Sequence, residues 1–160
     1  MVWNYANLWE SVAKATPDRP ALIHGDKTIA WKDFDRRANA LAKVMVEAGV
    51  SQQSKVAAYL YNGPEYLETY FAAFKAGLVP FNTNYRYGGD ELTYLFDNAD
   101  AEVVVFHASF AEMADKVRGR LPKVKAWIAV GEAGHPVPAW ALDYDAIVAD
   151  AADHFEAPWG

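Results

Sequence analysis

Residues 61–65 (Tyr-Asn-Gly-Pro-Glu) form the first segment of this chain whose residue types could bind a ligand. The segment joins a predicted strand to a predicted helix, and open α/β sheets bind ligands and anions where parallel strands end and helices begin. A structural role explains the same residues. Asn62 or Gly63 caps the helix, Pro64 occupies its first turn, and Glu65 lies at the positive end of the helix dipole. The capping role is the favoured interpretation.

Residues 82–89 (Asn-Thr-Asn-Tyr-Arg-Tyr-Gly-Gly) form a second polar segment, directly after a short apolar strand. The forked donors of Arg86 suit a carboxylate or a phosphate group. A turn is favoured over a binding site, because asparagine and glycine satisfy turn geometry and Gly89 or Asp90 can cap the next helix. We expect Arg86 to pair with a nearby carboxylate such as Asp90.

The histidines are spaced too far apart to form a zinc-binding helix, because none is followed four residues later by a histidine or a carboxylate. They are His24, His107, His135 and His154. His107, at the end of a predicted strand, could act as a general base, although a hydrogen-bonded structural histidine is the commoner outcome. Dinucleotide-binding, P-loop and G-x-S-x-G motifs are absent. We assign no catalytic, cofactor-binding or metal-binding residue in this chain.

Aromatic residues concentrate between positions 59 and 74, where they could line an acyl pocket or pack in the core. They are Tyr59, Tyr61, Tyr66, Tyr70, Phe71 and Phe74. Aromatic side chains at helix and strand spacing usually pack in cores and interfaces. Packing is therefore the favoured role.

The composition predicts one compact domain, because 160 residues with 52% hydrophobic and 14% aromatic residues can bury a substantial core. A formal net charge of −6 argues against a nucleic-acid partner, which needs a basic face. The one dense basic segment, Lys116 to Lys125, is interpreted as a solvated helix face followed by a loop.

The absence of cysteine excludes disulfides, thiolate nucleophiles and cysteine-based zinc sites, and it fits a cytoplasmic location. Residues 1–5 carry no basic segment typical of an export signal. The apolar runs are far shorter than the roughly 18 residues that span a bilayer. We predict a cytoplasmic protein without a membrane span.

Residues 1–54 predict a helix, a β-hairpin and a longer helix. Residues 7–15 predict a short amphipathic helix that should dock by Leu8, Trp9 and Val12. Residues 21–23 and 28–31 flank a Gly-Asp pair and are predicted to form the two strands of a hairpin. The helix from Phe34 to Ala48 carries apolar residues on one face and ends at Gly49.

Residues 55–160 alternate strands with helices, which is typical of a parallel sheet with helices on both faces. Strands are predicted at 56–60, 79–81, 102–106 and 126–130, and helices at 65–76, 90–98, 110–120 and 144–151. The strand at 79–81 should be short and buried. Gly77 should have a positive φ angle, because only a left-handed residue turns the chain from Ala76 into that strand without a longer loop.

These segments together resemble the amino-terminal part of the adenylate-forming (AMP-binding) acyl-CoA synthetases, the fatty-acid–CoA ligase family. Residues 75–82 (Lys-Ala-Gly-Leu-Val-Pro-Phe-Asn) are similar to the family's second core motif, and 29–34 (Ile-Ala-Trp-Lys-Asp-Phe) to its first. Trp31 stands where the family commonly has Tyr, and Phe34 where it commonly has Leu. The resemblance covers Leu8 to about Ile147, so the fold implied is part of the larger amino-terminal domain of a synthetase.

The resemblance implies activation of a carboxylic acid with ATP and Mg²⁺ to an acyl-adenylate, followed by acyl transfer to coenzyme A. It also implies a Ser/Thr/Gly-rich phosphate loop, a later acidic residue for the metal or ribose, and a carboxy-terminal lysine. None of these matches a position among the 160 residues. We therefore expect an amino-terminal fragment that is inactive alone and holds no cofactor itself.

Exposed apolar surface on such a fragment, expected in the regions 59–74 and 127–140, should be covered by the remainder of the synthetase or by self-association. Two other classes stay open. One is a stand-alone, non-catalytic binding or interaction module of the same fold, and the other is a small α/β ligand-binding protein unrelated to the ligases. The reading frame beyond Gly160 separates the fragment from the module.

Overall fold

The first elements are a helix, a hairpin and a long helix, as predicted, with shifted boundaries. A computed structural model describes residues 4–160; residues 1–3 lie outside the description. Helix α1 spans Tyr5–Ala15, strands β1 and β2 span Pro20–His24 and Lys27–Ala30, and helix α2 spans Trp31–Glu47. The assignment of Trp31 to the hairpin was wrong: Trp31 begins α2, where its ring packs edge-on against Phe34 at 5.7 Å.

From Lys55 onward, the chain folds around a five-stranded parallel sheet, whose strands lie in the order β4-β3-β5-β6-β7. The strands are β3 (Lys55–Tyr59), β4 (Val79–Asn82), β5 (Ala101–His107), β6 (Ala126–Val130) and β7 (Leu142–Asp143). The connecting helices are α3 (Pro64–Lys75), α4 (Gly89–Asn98), α5 (Ala111–Arg118) and α6 (Tyr144–Ala149), with a short 3-10 turn at Ala108–Phe110. The predicted α/β class is confirmed.

Hydrophobic cores lie on both faces of the sheet. Strand β5 alternates between them: Val103 and Val105 face the core under α2 and α3, whereas Val104 and Phe106 face the core under α4 and α5. Burial on both faces explains why the strand reads as a continuous apolar run instead of an alternating one.

Two strands differ from the sequence-based expectation. Strand β4 is not buried: it lies at the edge of the sheet, and Val79 is 40% exposed. Strand β7 was missed, because two residues are too few to show a period. An apolar sequence thus marked β4 as a strand but not its place in the sheet, which depends on strand order.

Regions 59–74 and 127–140, which were expected to carry exposed apolar side chains, are mostly buried or partly buried. Tyr59 and Phe71 are buried, and Trp127 and Trp140 pack edge-on against each other at 5.9 Å. The largest exposed apolar side chains lie elsewhere, on α1, β1 and α4; they include Tyr5, Leu8, Ile23 and Tyr94. The expectation that Leu8 docks α1 was therefore wrong, whereas Trp9 does pack against the core. The expectation that regions 59–74 and 127–140 carry the open surface was therefore wrong, apart from the partly exposed Tyr61 and Leu67.

The basic segment is neutralised by its neighbours, in agreement with its interpretation as a solvated face. Its cations pair with carboxylates: Lys116 with Glu112, Arg118 with Asp115, Arg120 with Asp90, Lys123 with Asp97 and Asp100, and Lys125 with Glu102. A phosphate backbone would have to displace these pairs.

No helix within residues 4–160 combines the length and the apolar character that crossing a bilayer requires.

Gly77 has the predicted positive φ, at +69°. A Cβ atom added there would lie 2.9 Å from Trp159 Nε1, so strain and a close contact act together. We expect Gly77→Val to lower the free energy of unfolding by about 1–3 kcal/mol. Gly119→Val is the matched control, because Gly119 has a helical φ of −66° and open space around it. Equal urea denaturation midpoints for the two variants would contradict this expectation.

Candidate functional site

The carboxyl ends of β3, β4 and β5 bring together four rings that sequence reasoning had placed in three separate segments. Tyr61 lies 5.2 Å from His107, 4.8 Å from Phe110 and 5.1 Å from Tyr85, measured between ring centroids. We call Tyr61, Tyr85, His107 and Phe110 the carboxyl-edge cluster. Parallel strands end at one edge of a sheet, which is why residues distant in sequence meet there.

In this cluster, His107 is hydrogen-bonded to the backbone. Its Nδ1 atom accepts a hydrogen bond of 3.0 Å from the Tyr61 N–H, so the neutral ring carries its proton on Nε2. Burial lowers the pKa of His107 below its usual 6.5, against the opposing charges of Glu132, Glu65 and Asp145. A ring with one nitrogen engaged and the other protonated has no free lone pair, so the structural role is supported over that of general base.

The stability of the chain should depend on the protonation of His107. Because the folded-state pKa lies below the unfolded value of 6.5, folding favours the neutral ring. This contribution is complete above about pH 6.5 and is lost as the pH falls through the folded pKa. We expect the unfolding free energy to drop, as the pH falls below about 6.5, by more in the wild type than in His107→Asn.

The asparagine variant keeps a side-chain acceptor for the Tyr61 N–H and does not titrate. Chemical denaturation at several pH values gives the difference curve between the two proteins. Carboxylates common to both proteins cancel in that difference. Parallel curves would show that His107 titrates alike in the folded and unfolded states.

The first turn of α3 does not fit a phosphate. Gly63 is the N-cap and Pro64 follows it in the first turn, as the capping interpretation predicted. A carboxylate oxygen of Glu65 lies only 3.2 Å from where a Gly63 Cβ would be. An anion approaching this helix end would meet a negative charge.

Helix α4 begins in the same way. Its N-cap is Gly88, not Gly89 or Asp90, and the Gly88 N–H donates a 2.7 Å hydrogen bond to Glu91 Oε2. The expected cap was displaced by one residue because Glu91 reaches back to the backbone three residues earlier. The Glu91 carboxylate takes up the Gly88 N–H, so this helix start, like that of α3, carries a negative charge of its own.

Arg86 does not pair with Asp90 as expected. Asp90 instead lies 3.3 Å from Arg120, and the exposed Arg86 guanidinium lies 5.7 Å from the ring of Tyr85. The Arg86 N–H donates to Asn84 Oδ1 at 3.0 Å, which confirms the turn at Asn84. Asn82, also expected in the turn, belongs to β4.

The sequence analysis missed two buried ionic side chains on α3, Glu68 and Lys75. Glu68 is fully buried on α3, where it accepts hydrogen bonds from Arg37 and from the Tyr144 hydroxyl at 2.8 Å. Lys75 Nζ contacts Glu10 at 2.8 Å and Asp35 at 2.6 Å. A charged residue on the apolar face of a helix is the one signal that could have revealed them.

Metal-ligating side chains do not gather anywhere within residues 4–160 in groups of three or more histidine, aspartate or glutamate residues.

A family model described as "AMP-binding enzyme" matches residues 9–155 of the chain. The chain belongs to the AMP-binding enzyme family. This match covers both the hairpin region and the parallel sheet, and so agrees with the resemblance seen in the two core motifs.

Relatives of this AMP-binding chain include a medium-chain acyl-CoA ligase from Mycobacterium avium, 31% identical over 157 residues, covering 89% of the chain and 28% of the relative. A medium/long-chain-fatty-acid–CoA/3-oxocholest-4-en-26-oate–CoA ligase from Mycobacterium marinum is 36% identical over 127 residues, covering 79% of the chain and 23% of the relative. The chain thus spans about a quarter of the length of these relatives.

Solved structures agree in fold. A putative long-chain-fatty-acid CoA ligase from Rhodopseudomonas palustris matches 98% of the chain and 38% of its own, with a TM-score of 0.84 and 25% identity. An anthranilate CoA ligase in complex with anthranoyl-AMP matches 97% of the chain and 29% of its own, with a TM-score of 0.87 and 19% identity. The second likeness shows the fold alone.

Proposed function

We propose that this chain is the amino-terminal part of an ATP-dependent acyl-CoA synthetase that acts on fatty acids. The intact enzyme would join a fatty acid to coenzyme A through an acyl-adenylate, releasing pyrophosphate and then AMP. The observation that carries the proposal is the family match over residues 9–155, together with relatives named as a medium-chain acyl-CoA ligase and a medium/long-chain-fatty-acid–CoA ligase.

The chemistry is proposed to lie outside these 160 residues. The helix ends at the carboxyl edge face their own carboxylates, Glu65 and Glu91, and so offer no cradle for a triphosphate. The sequence holds no Ser/Thr/Gly-rich loop that would supply the missing donors. No catalytic, cofactor-binding or metal-binding role is therefore given to a residue of the chain, and ATP, Mg²⁺ and CoA are assigned to the intact enzyme.

The chain alone is expected to release no pyrophosphate from Mg-ATP in the presence of fatty acids of different lengths. Without backbone donors for the phosphates, the charge that develops on the leaving group stays unstabilised. The assay compares the purified chain with a no-enzyme blank and with the longer protein encoded by the continuing reading frame. The longer protein should release pyrophosphate only when a fatty acid is present.

Fatty-acid-dependent release that scales with the amount of the purified 160-residue chain would overturn the assignment of the chemistry to outside residues. A reading frame that stops at Gly160 would favour the stand-alone, non-catalytic module instead. The assay and the DNA sequence thus test the two parts of the proposal separately.

The remainder of the synthetase is the proposed partner of the chain, acting as one unit with residues 1–160. The exposed apolar side chains of α1 and β1, including Ile23 at 72% exposure, suit burial against a further part of a larger domain. A ligase that consumes ATP and coenzyme A needs a compartment that supplies both, which is why the cytoplasm is the proposed location.

A further inference from the structure

Asn62 lies in the exposed bend between β3 and α3 and is the one asparagine of this sequence that precedes a glycine. Every other asparagine is followed by a residue with a Cβ atom. Asparagine is a thermolabile residue, because the backbone nitrogen of the next residue can attack its side-chain amide. A glycine at the next position leaves that nitrogen unshielded, since it has no Cβ atom.

The two groups that would react are not held by hydrogen bonds. Those made by asparagine side chains within residues 4–160 involve Asn4, Asn7, Asn39 and Asn84, and not Asn62. The Gly63 N–H likewise has no backbone acceptor among these residues, although the Gly63 carbonyl oxygen accepts a 3.2 Å hydrogen bond from the Tyr66 N–H. The nitrogen of Gly63 and the amide of Asn62 are therefore both available for reaction.

The exposed asparagines of β4, α4 and the turn between them differ from Asn62 in this respect. Asn82 and Asn98 precede residues whose N–H groups already donate to carbonyl oxygens, at 3.1 and 3.0 Å. Asn84 Oδ1 accepts a 3.0 Å hydrogen bond from the Arg86 N–H, which holds the side chain in its turn. In each case one of the two reacting groups is engaged.

The backbone at Gly63 is one that other residues also adopt. Its φ and ψ angles are 167° and −177°, the extended conformation that a residue before proline prefers. A Cβ atom added there would lie 3.2 Å from Glu65 Oε2, the end of a flexible side chain, and 4.0 Å from His24 Nε2. Gly63→Ala can therefore shield the nitrogen without straining the backbone.

We propose that Asn62 is a modification site, at which spontaneous deamidation produces aspartate and isoaspartate. The Gly63 nitrogen bonds to Asn62 Cγ, the Cγ–Nδ2 bond breaks, and the amide leaves as ammonia with the proton that the nitrogen loses. Water then opens the cyclic imide. Opening at Cγ gives aspartate, and opening at the main-chain carbonyl carbon gives isoaspartate, whose backbone runs through Cγ. The site belongs to the chain itself, so it does not depend on the proposed function.

The two products change the carboxyl edge of the sheet differently. Both place a new carboxylate at the start of α3, near Glu65. Isoaspartate also lengthens the main chain by one methylene group, directly after Tyr61. Because the Tyr61 N–H donates a 3.0 Å hydrogen bond to His107 Nδ1, this lengthening should disturb the carboxyl-edge cluster.

Peptide mapping of the folded chain, kept in mildly alkaline buffer, tests the proposal. Mass spectrometry detects the change from amide to carboxyl, and electron-transfer fragmentation distinguishes isoaspartate from aspartate. Asn84 is the internal control, because it is exposed at the same edge. Crowding that costs as much as ordinary local backbone strain slows a reaction by about tenfold or more, so Asn62 should react at least about tenfold faster than Asn84. Gly63→Ala should remove most of that difference.

Three results would overturn the proposal. Asn62 that stays unchanged in the folded chain but reacts in urea would show that the fold keeps its amide away from the Gly63 nitrogen. Equal rates in the wild type and in a folded Gly63→Ala variant would show that the nitrogen of residue 63 is not the attacking group. Equal rates at Asn62 and Asn84 would show that the site is not selective.

A stability measurement tests the effect on the carboxyl edge. The isoaspartyl form, separated by chromatography, should unfold at a lower urea concentration than the unmodified chain. Asn62→Asp should keep the wild-type midpoint, because its backbone is unchanged and a carboxylate is tolerated at the positive end of a helix dipole. An isoaspartyl form as stable as Asn62→Asp would show that the longer backbone does not disturb the cluster and would overturn this part of the inference.

Discussion

Arg37→Met is expected to lower the free energy of unfolding by about 3–5 kcal/mol, among the largest effects of any single substitution in this chain. Glu68 has no exposed surface, and the guanidinium of Arg37 is its cationic partner within residues 4–160. The pair also accounts for the pKa of Arg37, which its hydrogen bond to Glu68 raises. Removing the cation leaves a buried carboxylate whose remaining donor, among residues 4–160, is the Tyr144 hydroxyl.

Two further variants separate the buried charge from the other contacts. Arg36 lies beside Arg37 on α2 and forms an exposed pair with Asp153 of the carboxy-terminal segment, so Arg36→Met should cost at most about 1 kcal/mol. Tyr144→Phe removes one hydrogen bond to Glu68 and should cost about 1–3 kcal/mol. Urea denaturation of all three variants measures the order, and an Arg37→Met effect no larger than that of Arg36→Met would show that water reaches Glu68.

The contacts of Glu68 show why the sequence predicted the helices and strands better than the polar contacts between them. Periodicity located α3 to within one residue at each end, because apolar side chains such as Phe71 repeat at helical spacing. The same periodicity places Glu68 on the buried face, but it does not show which cation neutralises it. Arg37 and Tyr144 lie 31 and 76 residues away, so their meeting depends on how three helices pack.

The carboxyl-edge cluster was predictable in part. Tyr61 and His107 were both recognised as strand-end residues, and the rule that parallel strands end together predicts one shared edge. The order β4-β3-β5 decides which strand ends are neighbours, and nothing in the local sequence fixes that order. The pairing of Arg86 with Asp90 failed for a similar reason, because the distant Arg120 provides the cation.

Lys75→Met is expected to lower the free energy of unfolding by about 3 kcal/mol, near the lower end for a broken buried ion pair. The Lys75 side chain is only 2% exposed, its Nζ atom lies between Glu10 and Asp35, and it stands 4.4 Å from the Phe71 ring centroid. The lower end applies because the two carboxylates keep some contact with water, with 33% and 25% of their side chains exposed. Methionine keeps the apolar stem, so the loss reports on the charge.

Two controls test that explanation: an exposed ion pair, and a background in which both carboxylates are replaced by neutral amides. Lys43→Met breaks an exposed pair with Glu47 and should cost at most about 0.5 kcal/mol. In a background that carries Glu10→Gln and Asp35→Asn, Lys75→Met should cost clearly less than in the wild type, because no carboxylates are then left unpaired. Thermal and urea unfolding measure the cost of Lys75→Met in each background. An equal cost in both backgrounds would mean that the amine is stabilised by the Phe71 ring and the helix packing rather than by the two carboxylates.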